Sequence, residues 1–170
     1  MPDSKPYRLV PELIPGDLWG RSAYKMFAGR GIWTKKIRPD ALAKASNACE
    51  ICLKKGGRLI CHDKWRYDDK RATARLIGFE IHCGDCDAVT HLGRMMQVGD
   101  SEDVIIAAVI HMCNVNGFET LTATRILRDP HEIWEKRNKK KRKIEVDLAL
   151  LKLYPELEAL PRFRPTKVSY

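Results

Sequence analysis

Residues 49–91 read CEICLKKGGRLICHDKWRYDDKRATARLIGFEIHCGDCDAVTH, two Cys-x-x-Cys pairs that bracket thirty residues, with a histidine beyond each half. Each such pair makes a tight turn that aims two sulfurs at one point. Two of them supply the four thiolates of a tetrahedral structural zinc site, here Cys49, Cys52, Cys83 and Cys86. The interval between the pairs exceeds that of a compact zinc ribbon, so it must carry structure of its own. The segment Arg58 to Trp65 reads as one strand and Thr73 to His82 as its return, with a turn at Tyr67-Asp68-Asp69-Lys70. On the return strand Ile77, Phe79 and Ile81 alternate with Gly78, Glu80 and His82, which predicts one buried face. The run CDAVTHLGRMM then reads as helical to about Val98, giving the order strand, strand, helix.

Outward from this knot, LVPELIPGDLWGRSAYKMF predicts an extended arm and a short helix from Pro15 to Gly29, with Leu18, Trp19, Tyr24, Met26 and Phe27 packing inward. A second helix is expected over Trp33 to Ser46, with Pro39 as a point of interruption. Downstream, Asp100 reads as a cap for a helix from Ser101 to Asn114, whose run VIIAAVI marks it as the main core helix. His111 on that helix reads as a packing residue. Thr120 to Arg128 predicts a further helix, Asp129-Pro130 opens another, and the Leu-rich tail from Ile144 predicts a last one ending near Pro161. The fold class expected is α+β, mainly helical, around a central zinc-anchored ββα unit. Residues 1–48 form an N-terminal arm and helices, 49–98 the zinc-bound core, and 99–170 C-terminal helices packed on it as one domain.

The chain has 170 residues, 44% of them hydrophobic, enough to bury a core. It holds no apolar run of bilayer-spanning length, and MPDSKPYRLV lacks the basic-then-apolar pattern of a signal peptide. The expected location is therefore the cytoplasm, with no membrane partner, where reduced thiols favour metal over disulfides. Cys61 and Cys113, outside the pairs, read as core fillers. Of the net charge of +9, seven positive charges sit in KRNKKKRK. Lys136, Arg137, Lys139, Lys140, Lys141, Arg142 and Lys143 are thus the candidate contacts to nucleic-acid phosphates.

The segments CEIC, CHDKW and CGDCD with His91 resemble the HNH, or ββα-metal, endonucleases over about 45 of the 170 residues, in the manner of a divergent phage-type or bacterial member. The resemblance implies a bacterial cytoplasm, with a phage gene as one source, and DNA as partner. It implies His62 as the general base that deprotonates water for attack on a phosphodiester. It implies a catalytic Mg²⁺ or other divalent cation held by Asp87 and His91, which stand four apart and share a helix face. Three departures from the family pattern are visible. Cys61, not an acid, precedes His62; no asparagine lies between His62 and Cys86; and Asp87 stands where the family has a histidine. His62 and Asp63 alternate along a strand, so both reach one site only through a bulge. The alternative reading is a zinc-stabilised protein on the same scaffold that binds DNA or another protein without cleaving.

Overall fold

The computed structural model describes residues 7–27, 31–128 and 130–159, the side chains of 26, 27, 130–132 and 159 apart. The chain is a mainly helical α+β fold with one three-stranded sheet. An arm over residues 7–15 leads through a 3₁₀ turn, Gly16–Leu18, to α1 (Ala23–Phe27). Gly20, at φ +75°, separates the turn from α1, so the single helix expected from Pro15 is two short pieces. Leu18 is buried as expected, whereas the Tyr24 ring is half exposed. The expected packing of Met26 and Phe27 and a helix end at Gly29 lie outside the described residues.

Trp33–Ile37 forms a π-helical turn that runs straight into α2 (Arg38–Lys44), with Pro39 in the first turn of α2. Proline has no N–H and its ring collides with the carbonyl four residues back, and just before it the chain widens, the Arg38 N–H bonding the Trp33 carbonyl five residues back. The hairpin is β1 (Leu59–Asp68) and β2 (Thr73–Cys83), antiparallel. The turn falls two residues later than the Asp-Asp signal indicated. Tyr67 and Asp68 stay in the strand, and the Asp68 carboxylate accepts the Arg71 N–H at 2.9 Å.

The register shifts between Lys64, opposite Gly78, and Trp65, opposite Leu76. Ile77 is the extra residue of a β-bulge, which reverses the alternation. Leu76 and Ala74, not Ile77, therefore share the buried face with Phe79 and Ile81. The bulge lies beyond His62 and Asp63, so these two still point to opposite faces. Asp63, opposite Phe79, turns inward and accepts the Ala23 N–H at 2.6 Å.

After β2 come α3 (Gly84–Thr90), α4 (Leu92–Val98), α5 (Glu102–Asn116), α6 (Thr120–Arg128) and α7 (Pro130–Asn138). The single helix expected through Val98 is broken at His91, which ends α3 and opens α4. Ser101, not Asp100, is the N-cap of α5. That helix buries Ala108 and Met112 but leaves Val104, Ile106 and Ile110 exposed, so it covers the core with one stripe only. Asp129, the expected cap of α7, lies outside the described residues.

The tail holds an element the sequence reading missed. Lys143–Val146 is β3, parallel to β2, with Thr73 opposite Lys143 and Leu76 opposite Val146. It is followed by α8 (Leu148–Leu153) and a 3₁₀ turn, Pro155–Ala159. Asp147 caps α8 through the Ala149 N–H at 2.9 Å. Two apolar clusters result. One sandwiches Leu76, Phe79 and Ile81 between Trp33, Ile37 and Leu157. The other wraps the clustered cysteines with Val89, Leu92, Met112 and Ala123. Each methylene so buried contributes roughly 0.8 kcal/mol.

The arm is held from far along the chain. Asn116 Oδ1 accepts from the Leu9 N–H at 3.2 Å while its Nδ2 donates to the Leu9 carbonyl at 2.6 Å. Gly16 N donates to Asn138 Oδ1 at 2.8 Å, and the Trp134 indole to the Ile14 carbonyl at 2.9 Å. Among the described residues no single helix is long and apolar enough to cross a membrane.

Candidate metal centres and catalytic pocket

The first Cys-x-x-Cys turn is closed by the Cys49 N–H to the Lys54 carbonyl at 2.9 Å and by an antiparallel bridge between Ala48 and Lys55. Glu50 fastens it to β2: its N–H donates to the Ile81 carbonyl at 2.8 Å and its Oε2 accepts the Ile81 N–H at 2.7 Å. Cys83 ends β2 and serves as N-cap of α3, whose first turn carries Cys86. The four sulfurs lie within 4.8 Å of one another, and Cys52 Sγ and Cys83 Sγ are 3.6 Å apart. A tetrahedral ion with Zn–S bonds of about 2.3 Å would space its sulfurs by roughly 3.8 Å. The group therefore could hold a structural metal ion. Burial pushes the Cys49 thiol up, but the N–H groups of Cys52, Cys83 and Ile51 outweigh it and bring the thiol down to about 7. His111, expected only to pack, reaches from α5 to put Nε2 3.2 Å from Cys86 Sγ.

A second cluster lies a few residues along α3. His62 of β1 meets Asp87 and His91, whose ligand atoms all fall within 4.8 Å of one another. The helical spacing of four brings His91 Nε2 to 3.8 Å from Asp87 Oδ1, and the His62 and His91 rings are centred 5.0 Å apart. On its other side His62 stacks on His82, with centroids 4.7 Å apart and planes at 9°. His82 is almost fully buried, and its Nε2 lies 3.2 Å from Glu80 Oε2. The three residues line a cavity of about 1060 Å³ that none of the four clustered cysteines lines. Its walls also carry Trp19, Tyr24, Arg58 and Arg94.

Burial, then the neighbouring His82 and His91, lower His62 to about 3, which keeps its imidazole neutral. His91 is lowered as well, first by burial, against the pull of Asp87. A hydrogen bond from His82, opposed by burial and aided by Lys64, holds Glu80 down at about 2. Cys61, the residue that precedes His62, faces the other way, opposite Ile81 against the apolar core, and burial pushes its thiol up to about 12.

Two residues in this pocket were not legible in the sequence. Glu12, in the Pro-punctuated arm, places Oε2 3.9 Å from His62 Nε2, and Tyr67 donates its hydroxyl to Glu12 Oε1 at 3.1 Å. Burial, against the Tyr67 hydrogen bond, raises the Glu12 carboxyl to about 7. Glu12 lies fifty positions from His62 with no motif around it, so only the folded arm reveals it.

The basic run divides. Lys136, Lys139, Lys140, Lys141 and Lys143 are exposed. Arg142 is not available to a phosphate: its side chain is 1% exposed, donates Nη2 to Asp69 Oδ1 at 2.6 Å and reaches the Asp68 and Thr73 carbonyls. Arg137 is likewise committed to Asp69 at 3.0 Å, to the Leu13 carbonyl at 3.0 Å and to the face of Tyr67 at 4.7 Å. A charge count along the sequence cannot separate such staples from solvated lysines.

No family model matches this chain, and comparison with curated proteins and with solved structures gives no significant match to either.

Proposed function

We propose that the chain is a metal-dependent DNA endonuclease of the HNH, or ββα-metal, kind, acting in the cytoplasm of a bacterial cell. The observation that carries this reading is the convergence of His62, Asp87 and His91 in one cavity beside, and separate from, the four-sulfur group. Four thiolates from two tight turns suit Zn²⁺, whose coordination they close, so any hydrolysis belongs to the second centre. Asp87 and His91 would hold Mg²⁺ or a similar divalent cation, which when bound supplies positive charge to the scissile phosphate and to the departing sugar oxygen.

The chain's own residues do the rest. His62, neutral and fixed between the His82 and His91 rings, takes the proton of a water as its oxygen bonds to phosphorus and the bond from phosphorus to the sugar oxygen breaks. The exposed Lys139, Lys140 and Lys141 add attraction to backbone phosphates without sequence preference.

The scaffold-only alternative is favoured by one observation, that the residue before His62 is Cys61, packed against the apolar core, so no acid stands at that position. Supercoiled plasmid incubated with zinc-loaded protein and Mg²⁺, Mn²⁺ or Ca²⁺ separates the two. Nicking that Asp87→Ala abolishes, and that excess cation partly restores, is the expected result. Absence of nicking with every cation, alongside retained DNA or protein binding, would establish the scaffold reading instead.

A further inference from the structure

The clustered sulfurs are not served alike. Backbone N–H groups of Cys52, Cys83 and Ile51 reach the Cys49 sulfur, and that of Lys54 reaches Cys52. At Cys86 the leading influences all run the other way: burial, and then the other three sulfurs, push its thiol up. A sulfur that ligates a metal must nevertheless give up its proton and carry charge. Cys86 is fully buried, in one apolar cluster with Val89, Leu92 and Met112. Charge in such surroundings is costly unless a donor meets it.

A donor comes from another helix. His111 on α5 sets Nε2 3.2 Å from Cys86 Sγ. Met112, the next residue, is fully buried in the same cluster, so the stretch of α5 that carries the ring is packed in place. The imidazole stands outside the group of sulfurs that lie within 4.8 Å of one another, and four thiolates already close a tetrahedral ion. His111 therefore serves the sulfur and not the metal. A metal-held thiolate has no proton to offer, so the hydrogen between the two atoms belongs to the ring, in the form protonated at Nε2. Resting on the four-thiolate zinc reading above, and not on cleavage, we propose that His111 is a positioning residue of the structural metal centre, donating its Nε2–H to the Cys86 thiolate. A hydrogen bond to an ionised acceptor is about twice as strong as one between neutral groups. It draws charge from the sulfur, makes that sulfur less reactive and slows release of the ion. The closure of the knot is thus completed by α5, twenty-five residues beyond Cys86.

The test uses the full chain loaded with zinc, and with Co²⁺ in its place, whose sulfur-to-metal charge-transfer band reports the electron density on the thiolates. His111→Phe keeps the bulk of the ring and removes the donor. Its Co²⁺ band should move to lower energy, and its zinc should pass to a chromophoric chelator about tenfold faster than from the wild type. His111→Gln offers an amide N–H near the same point and should bring both readings back toward the wild type. Nitrogen NMR of the His111 ring in the unaltered zinc-loaded chain should show the proton on Nε2, a result that depends on no variant's folding. A ring protonated at Nδ1 alone overturns the assignment, as does a His111→Phe protein with the band and release rate of the wild type. Equal shifts in His111→Phe and His111→Gln overturn it too, because they make the ring a matter of packing. A chain that takes up neither zinc nor Co²⁺ ends the four-thiolate reading and this assignment with it, while the cluster of His62, Asp87 and His91 keeps its own test in plasmid nicking.

Discussion

The two centres share one short helix and differ in almost everything else. Cys86 and Asp87 are neighbours on α3, yet one belongs to a knot whose four sulfurs come from two local turns, and the other to a cluster gathered from β1, α3 and the junction of α3 with α4. The sulfur group is enclosed by Val89, Leu92 and Met112, whereas the histidine cluster opens on a large cavity. A closed centre stabilises, and an open one leaves room for a substrate to approach.

The largest test of that contrast is removal of a sulfur. Cys83→Ser should cost most of the chain's stability, on the order of 5–10 kcal/mol, because a metal ion held there would couple its binding to folding. Circular dichroism melts and elemental analysis check this together, and a variant that melts like the wild type would erase the distinction. His62→Ala should do the reverse: a loss of about 10²–10⁴ in cleavage rate, with zinc content retained and the melting temperature little moved. Single-turnover cleavage on the zinc-loaded variant measures it.

Smaller effects sharpen the picture of what supports the open centre. Arg142→Gln takes from Asp69 its shorter guanidinium partner, leaving Arg137, and loosens Tyr67, and should destabilise by about 2–3 kcal/mol in urea titrations. Replacing Lys139, Lys140 and Lys141 together by Gln should leave stability alone while flattening the salt dependence of DNA binding by up to about three counterions. Glu80 supplies the pH test. Its carboxyl sits at about 2 when folded against an ordinary 4.5, so its contribution is present above pH 4.5 and lost as pH falls through 2. Glu80→Gln should therefore be the less stable protein at pH 7, by about 1.5 kcal/mol, and converge with the wild type at pH 2.

How much of this could be read beforehand follows the same contrast. Cys49, Cys52, Cys83 and Cys86 were legible because their geometry is local, set by two spacings of three. Asp87 and His91 could be paired because the i,i+4 relation needs no tertiary knowledge, whereas His62 was set beside them only through the resemblance to the HNH nucleases. Glu12 was not, since its position depends on Asn116, Trp134 and Arg137 holding the arm. Ile77 was placed on the wrong face because a single bulged residue reverses the alternation and leaves no mark in composition. β3 was hidden by its length and by the Leu-rich run behind it, which drew Ile144 into a helix that in the structure begins at Leu148. The buried role of Arg142 was hidden by the lysines around it.

The tethering of the arm also bears on the order in which a ribosome releases this protein. Synthesis runs from N- to C-terminus, so residues 7–15 leave the tunnel well before Asn116, Trp134, Arg137 and Asn138, four of the groups that fix them. By then the cysteine knot and hairpin, complete by residue 91, have had some fifty residues of synthesis in which to form, at about 5–20 residues per second. Glu12 is thus held beside His62 by the full set of tethers only after α7 has been made, and a nascent fragment that ends before α7 carries its four-cysteine knot without a finished pocket.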